Sequence, residues 1–228
     1  MKTIKIFIAC VLVTNTIYSQ RIGIFYGQNY YRYKFSDVNL NGYPTDHYYN
    51  NVSNFDAGIL FELDKKVDFI GKMFYSTKGY QLIYKYTTVN SDPLPLPDNC
   101  KIKANYLDFS VGIGKSIINN NHFNFIPHLS IETAFLLEDK AVMVLTDGSS
   151  SSGSLDSYCL VSQNIESILY NGNIDIQLNY LINKRFSIFL QLVASYYFNK
   201  IEGETITHNP FAWGCLTGVI IKLKTDEN

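Results

Sequence analysis

The sequence predicts an all-β chain folded as an eight-stranded, antiparallel, up-and-down barrel. Two observations carry this expectation. Apolar residues recur at every second position through most of the chain, the pattern of a strand with one face against each of two environments. The connections between these segments also alternate strictly between tight polar turns and long loops. Composition adds a third: 15% of residues are aromatic, with 18 Tyr and 15 Phe, while only 17% are charged. That balance suits strands and an interface more than a soluble helical enzyme.

Taken in order, the chain opens on Met1-Lys2-Thr3-Ile4-Lys5, an apolar run over residues 6–13, and a polar stretch ending at Ser19-Gln20. A charged start, short apolar middle and small-residue junction form the pattern of a secretory signal peptide, expected over residues 1–19. The apolar run is too short for a spanning helix. Residues 20–228 are then expected to form one domain.

Strands are expected near residues 21–35, 54–64 and 67–86, followed by five clearer ones. Leu107, Phe109, Val111 and Ile113 oppose Asp108, Ser110, Gly112 and Gly114. Phe123, Phe125, Leu129, Ile131 and Phe135 oppose Asn124, His128, Ser130 and Glu132. Ile174, Ile176 and Leu178 oppose Asp175, Gln177 and Asn179, and Phe186, Ile188, Leu190 and Leu192 oppose Ser187 and Gln191. In the last strand Phe211, Trp213, Cys215, Thr217 and Val219 oppose Ala212, Gly214, Leu216 and Gly218.

Tight turns are expected at 64–66, 119–122 and 183–185, and long loops at 36–53, 87–101, 138–164 and 200–210. Pro93, Pro95 and Pro97 argue against a central strand, and the serine-rich stretch 146–154 reads as a flexible tip. Long loops at one end and short turns at the other are what a transmembrane barrel shows, with both termini on the periplasmic side.

The two faces separate a membrane barrel from a soluble one. A water-soluble barrel shows many Lys and Glu outside. Here the polar face carries mostly Ser, Gly, Asn and Gln, with Gly58, Gly112, Gly114, Gly214 and Gly218 among them. Small residues suit the narrow lumen of eight strands. The isolated charges Glu62, Lys72, Asp108, Glu132, Asp175 and Lys222 are expected to form a paired polar network in that lumen. Tyr26, Tyr75, Tyr106, Tyr170, Tyr180 and Tyr196 lie near strand ends, where an aromatic belt would sit.

Two segments carry a family resemblance. In residues 55–82, Phe55 and Gly58 stand in an aromatic-x-x-Gly strand, followed after a short turn by Tyr75-Ser76-x-x-Gly79. Residues 105–112 contain Tyr106-Leu107-Asp108, with Phe109-Ser110 next. The hairpin resembles that of the PorT-like outer-membrane β-barrel family. The second segment resembles the family's Tyr-Leu-acid strand, although Phe109-Ser110 replaces the usual Ile-Pro. The Ser19-Gln20 junction is similar to signal-peptide ends in bacteria that carry such barrels. The resemblance implies an outer-membrane address. Some family members are linked to type IX secretion, which makes a secretion or assembly role an expectation.

Signals for chemistry are sparse. A net charge of −1 gives no footprint for nucleic acid. His47, His122, His128 and His208 show no metal-ligand spacing, and no cofactor is expected. Gly112-x-Gly114-Lys115 lacks the rest of a phosphate loop. His128 and Glu132 share a lumen face, and Asp108 and Glu132 lie on neighbouring strands. Paired carboxylates can do acid–base work, but a filled lumen favours a structural network. The mature region has three cysteines, Cys100, Cys159 and Cys215; the first two fall in loops at one end and are placed to pair.

The expected function is that of a non-catalytic, integral outer-membrane protein in contact with lipid. It would meet other envelope or secretion proteins through loop residues such as Tyr43, Tyr48, Tyr49, Leu94, Leu96 and Tyr158. The rivals are a narrow, porin-like pore for ions or small solutes and a small outer-membrane enzyme.

Overall fold

The computed structural model describes residues 19–35, 54–64, 67–83, 97–120, 122–145, 147–153, 165–199 and 206–223. Ten strands follow one another: β1 (Ser19–Phe35), β2 (Asn54–Asp64), β3 (Asp68–Ile83), β4 (Pro97–Gly114), β5 (Ile118–Asn119), β6 (Phe123–Leu145), β7 (Ser150–Gly153), β8 (Ile168–Leu181), β9 (Phe186–Tyr197) and β10 (Ile206–Lys222). Eight of them form the wall, each antiparallel to the next, and β10 returns to pair with β1 from Arg21↔Lys222 to Phe35↔Ile206. The sheet is therefore closed, with no free edge along the paired length. The two short strands, β5 and β7, fold back on β6. No helix occurs among the described residues.

Local chemistry explains the tight turns. Between β8 and β9, the Asn183 side-chain oxygen accepts from the backbone N–H of Arg185 (2.8 Å) and Phe186 (2.9 Å). Asn120 does the same before β6, accepting from His122 (3.0 Å) and Phe123 (2.7 Å). An Asn that closes its own turn fixes a short connection without tertiary help.

At the opposite end the strands run further than their sequence suggests. Pro97 and its neighbours, expected in a loop, begin β4, and residues 138–145 extend β6. The two pair up to Pro97↔Leu145. Three prolines argued against a strand, but Pro97 is only the first residue of one, a position where its missing N–H is tolerated. The serine tip is also ordered in part, since Ser150–Gly153 pairs with β6 after a turn in which Gly148 adopts φ +82°. Likewise β10 begins at Ile206, inside the expected loop.

The β4–β6 ladder is irregular between Asn105 and Tyr106. Asn105 faces Glu138 while Tyr106 faces Leu136, so Leu137 is an extra residue on β6. Such a bulge reverses the in–out alternation beyond it. Below the bulge Ala134 faces in; above it Ala141 does, and Lys140 turns outward.

Candidate functional site

The lumen is where the sequence concentrated its charges. Glu62, Lys72, Asp108, Glu132 and Asp175 are all buried inside. Lys72 Nζ donates to Asp175 Oδ2 at 3.0 Å, and Gln191 Nε2 donates to the same oxygen at 3.0 Å. Gln177 Nε2 donates to Glu62 Oε1 at 2.7 Å, and Arg21 lies 3.5 Å from Glu62 Oε2. Asn173 Nδ2 donates to Glu132 Oε2 at 3.0 Å, and Asn29 donates to Asp56. Lys222 is half-buried at the turn-bearing rim, opposite Arg21 in the β1–β10 ladder.

The cation nearest the acids is one the sequence reasoning passed over. Lys78, 1% exposed at its side chain, donates to Asp108 Oδ2 and to Ser76 Oγ, both at 2.6 Å. Its Nζ also lies 5.0 Å from the Tyr106 ring centroid. The signal for it was available: Lys78 is in step with Lys72 on a period-2 strand, so both point inward. Asp56 follows from Gly58 by the same rule.

Polar and apolar walls face each other across the lumen. Phe25, Leu60, Phe74, Phe189, Leu216 and Ile220 form one apolar cluster. Tyr31, Tyr80, Ile102, Tyr106, Leu169 and Tyr197 belong to a second, toward the end where β4 and β6 are longest. Glycines make room for these side chains. A Cβ at Gly218 would lie 2.7 Å from the Phe189 ring, and one at Gly58 would strike Phe74.

Among the described residues, a cavity of about 20 Å³ is bordered by Asp56, Asp108, Glu132 and Tyr197. That is room for about one water molecule. Asp108 and Glu132 do border the same space, as their strands suggested, but nothing larger than water fits between them. His128 is buried against β4 and β8, opposite Gly114 and Asp175 in the ladders.

The outside is the inverse of a soluble protein. Ile24 (64% exposed), Ile131 (64%), Ile174 (62%) and Leu192 (54%) project outward while the Asp, Glu and Lys side chains of the cluster lie within. Rings gather toward the end bearing the longest strands: Tyr30 stacks on Trp213 at 4.7 Å, Phe55 meets Tyr75 at 5.7 Å, and Phe109 meets Phe135 at 6.0 Å. Phe123 and Tyr180, 5.2 Å apart, mark the turn end. On β8 the apolar face runs from Tyr180 to Tyr170, about 33 Å along the strand. At the usual tilt this spans about 25 Å, the height of a barrel's lipid band. A continuous apolar belt with charges inside is stable only in a bilayer, and only a closed sheet leaves no unpaired backbone there.

The chain is an outer-membrane β-barrel. No family model matches it, and no curated protein sequence is similar to it. Among solved structures it is similar to Neisserial surface protein A (13% identity, 90% of this chain and 97% of that one, TM-score 0.45). It is also similar to OprG from Pseudomonas aeruginosa (12%, 91% and 98%, TM-score 0.46). A third likeness is the outer-membrane protease OmpT from Escherichia coli (8%, 92% and 100%, TM-score 0.38).

Tyr26, Tyr170, Tyr180 and Tyr196 face outward. Tyr106 does not join the belt: it is fully buried, and its hydroxyl donates to the Glu166 carbonyl at 3.0 Å. Its even position on β4 turns it inward with Asp108. Cys215 is a free thiol, exposed on the lipid face. Cys100 is buried and disulfide-bonded, and its expected partner Cys159 lies outside the described residues. The loop residues Tyr43, Tyr48, Tyr49, Leu94, Leu96 and Tyr158 also lie outside the described residues, as does the segment 1–18.

Proposed function

We propose that this barrel is a non-catalytic envelope protein that works through its outer end, as an interaction or assembly partner. One observation carries the reading: the lumen is filled. An ion pair crosses it at Lys72–Asp175, Lys78–Asp108 lies along the β3–β4 wall, and apolar clusters fill much of the rest. A cavity of about 20 Å³ admits neither a solute stream nor a substrate. The chemistry left to the protein lies on its surface, where loops on a rigid scaffold carry function.

The loops bearing Tyr43, Tyr48, Tyr49, Leu94, Leu96 and Tyr158 are the proposed contact surface for other envelope or secretion proteins. The resemblance of residues 55–82 to PorT-like hairpins supports a place beside type IX secretion. Residues 1–19 are the proposed leader, so the mature chain begins at Gln20.

The test combines two measurements on full-length protein from cells. It should sediment with outer membranes and migrate as a compact band until boiled, with an N-terminus at Gln20. In planar bilayers it should produce no stable single-channel current. Steady conductance steps, or turnover of a lipid or peptide substrate by the pure barrel, would overturn the non-catalytic, non-conducting reading.

A further inference from the structure

Outside the lipid band, β3, β4 and β6 continue as a three-stranded extension. Its outer face carries an arrangement that strand pairing ordinarily avoids. Lys103 on β4 stands directly opposite Lys140 on β6, and Lys101 follows two residues along the same face. All three are exposed, and none makes an ion pair with any described residue. Like charges directly opposite each other on one sheet face are destabilising.

The pairing is the product of the bulge. Without the extra Leu137, Lys140 would point inward and Ala141 outward; the bulge exchanges them. Among the described residues no ion pair offsets this charge. Across β3 the neighbours in register are Thr77, Gly79 and Gln81, all neutral. Asp139 is turned to the inner side, Glu138 is exposed one pair nearer the membrane, and Glu166 is exposed beside β6 at the level of the bulge.

Height selects the ligand. Leu107 is the last apolar outward residue of β4. Lys103 follows about 13 Å further along the strand, or about 10 Å higher at the usual tilt. The headgroup layer is about 5–8 Å thick on each side of the hydrocarbon, and a lysine stem reaches back several ångströms. The ammonium groups therefore hang over the headgroups of the outer leaflet. We propose that Lys101, Lys103 and Lys140 form a binding site for the phosphate groups of an anionic outer-leaflet glycolipid of the lipopolysaccharide type. The proposal rests on the outer-membrane orientation above.

The test uses the full chain in detergent micelles, titrated with lipopolysaccharide, with the same lipid dephosphorylated, and with heparin as a soluble polyanion. Binding is read from the thermal unfolding midpoint. Each lysine near such a surface is worth roughly fivefold in affinity, so K101Q/K103Q/K140Q should weaken lipopolysaccharide binding on the order of a hundredfold. Dephosphorylation and added salt should weaken the wild type in the same sense. Equal binding by the variant, equal binding of the dephosphorylated lipid, or a response to heparin alone would overturn the proposal. If the triple variant loses its heat-modifiable band, Glu138→Gln serves instead: affinity should rise about fivefold, and no change would overturn the site. Failure of the wild type to fractionate with outer membranes would strike the orientation itself, a separate result.

Discussion

Replacing Lys78 with Met tests the lumen most directly. The pair Lys78–Asp108 is 1% and 0% exposed, so neither charge can turn to water when its partner is removed. Methionine keeps most of the side-chain length against the Tyr106 and Tyr197 rings, so the loss is chiefly of charge. Asp108 Oδ2 then loses its partner, while Oδ1 has none among the described residues. An uncompensated buried charge costs about 3–5 kcal/mol. Glu132 and Asp56 border the same cavity, so the carboxyl left unpaired faces two further carboxyl groups and no replacement cation there. Trp213, the chain's single tryptophan, sits on the lipid face and reports unfolding from vesicles. At about 2 kcal/mol per molar urea, the midpoint should fall by about 2 M. Adding Asp108→Leu should recover most of that loss, because the double variant replaces the pair with apolar groups. Additive losses in the double variant, or an unchanged midpoint in Lys78→Met, would refute the reasoning.

Three further outcomes are expected. Leu192→Arg, in the middle of the lipid band, should destabilise the barrel in vesicles by about 2–4 kcal/mol, whereas Leu223→Arg at the rim should cost about 1 kcal/mol or less; urea titration compares them. Gly58→Ala pushes a methyl group into Phe74 and the neighbouring strand, so it should cost about 1–3 kcal/mol by the same titration. Non-reducing digestion should yield a peptide joining Cys100 to Cys159. Closing a loop of about 60 residues in this way is worth about 4 kcal/mol, which Cys159→Ser should forfeit.

Much of the wall was readable because a strand's alternation depends only on neighbours in sequence. Ile174, Asp175, Ile176 and Gln177 sort to two faces whatever their partners, and the structure keeps that sorting. Turns such as Asn183-Lys184-Arg185 were equally local, since one Asn side chain closes them. Strand ends were harder to place. Pro97 and the serines of β7 became strands because β6 supplied a template, and a template is a tertiary fact. The inward side of Lys78 was legible from its step with Lys72, but its enclosure by the rings of Tyr106 and Tyr197 is a tertiary fact.

The sequence by itself determined that this chain forms paired strands with one apolar and one polar face, joined by short turns at one end and long connections at the other. Those features depend on side-chain period and turn chemistry, both local. Closure of β10 onto β1 decided which partners fill the lumen, because it brings Lys72 to Asp175 across 103 positions of chain. A single extra residue at Leu137 decided which way Lys140 points. Neither can be read from periodicity, since register belongs to the pair of strands and not to either one.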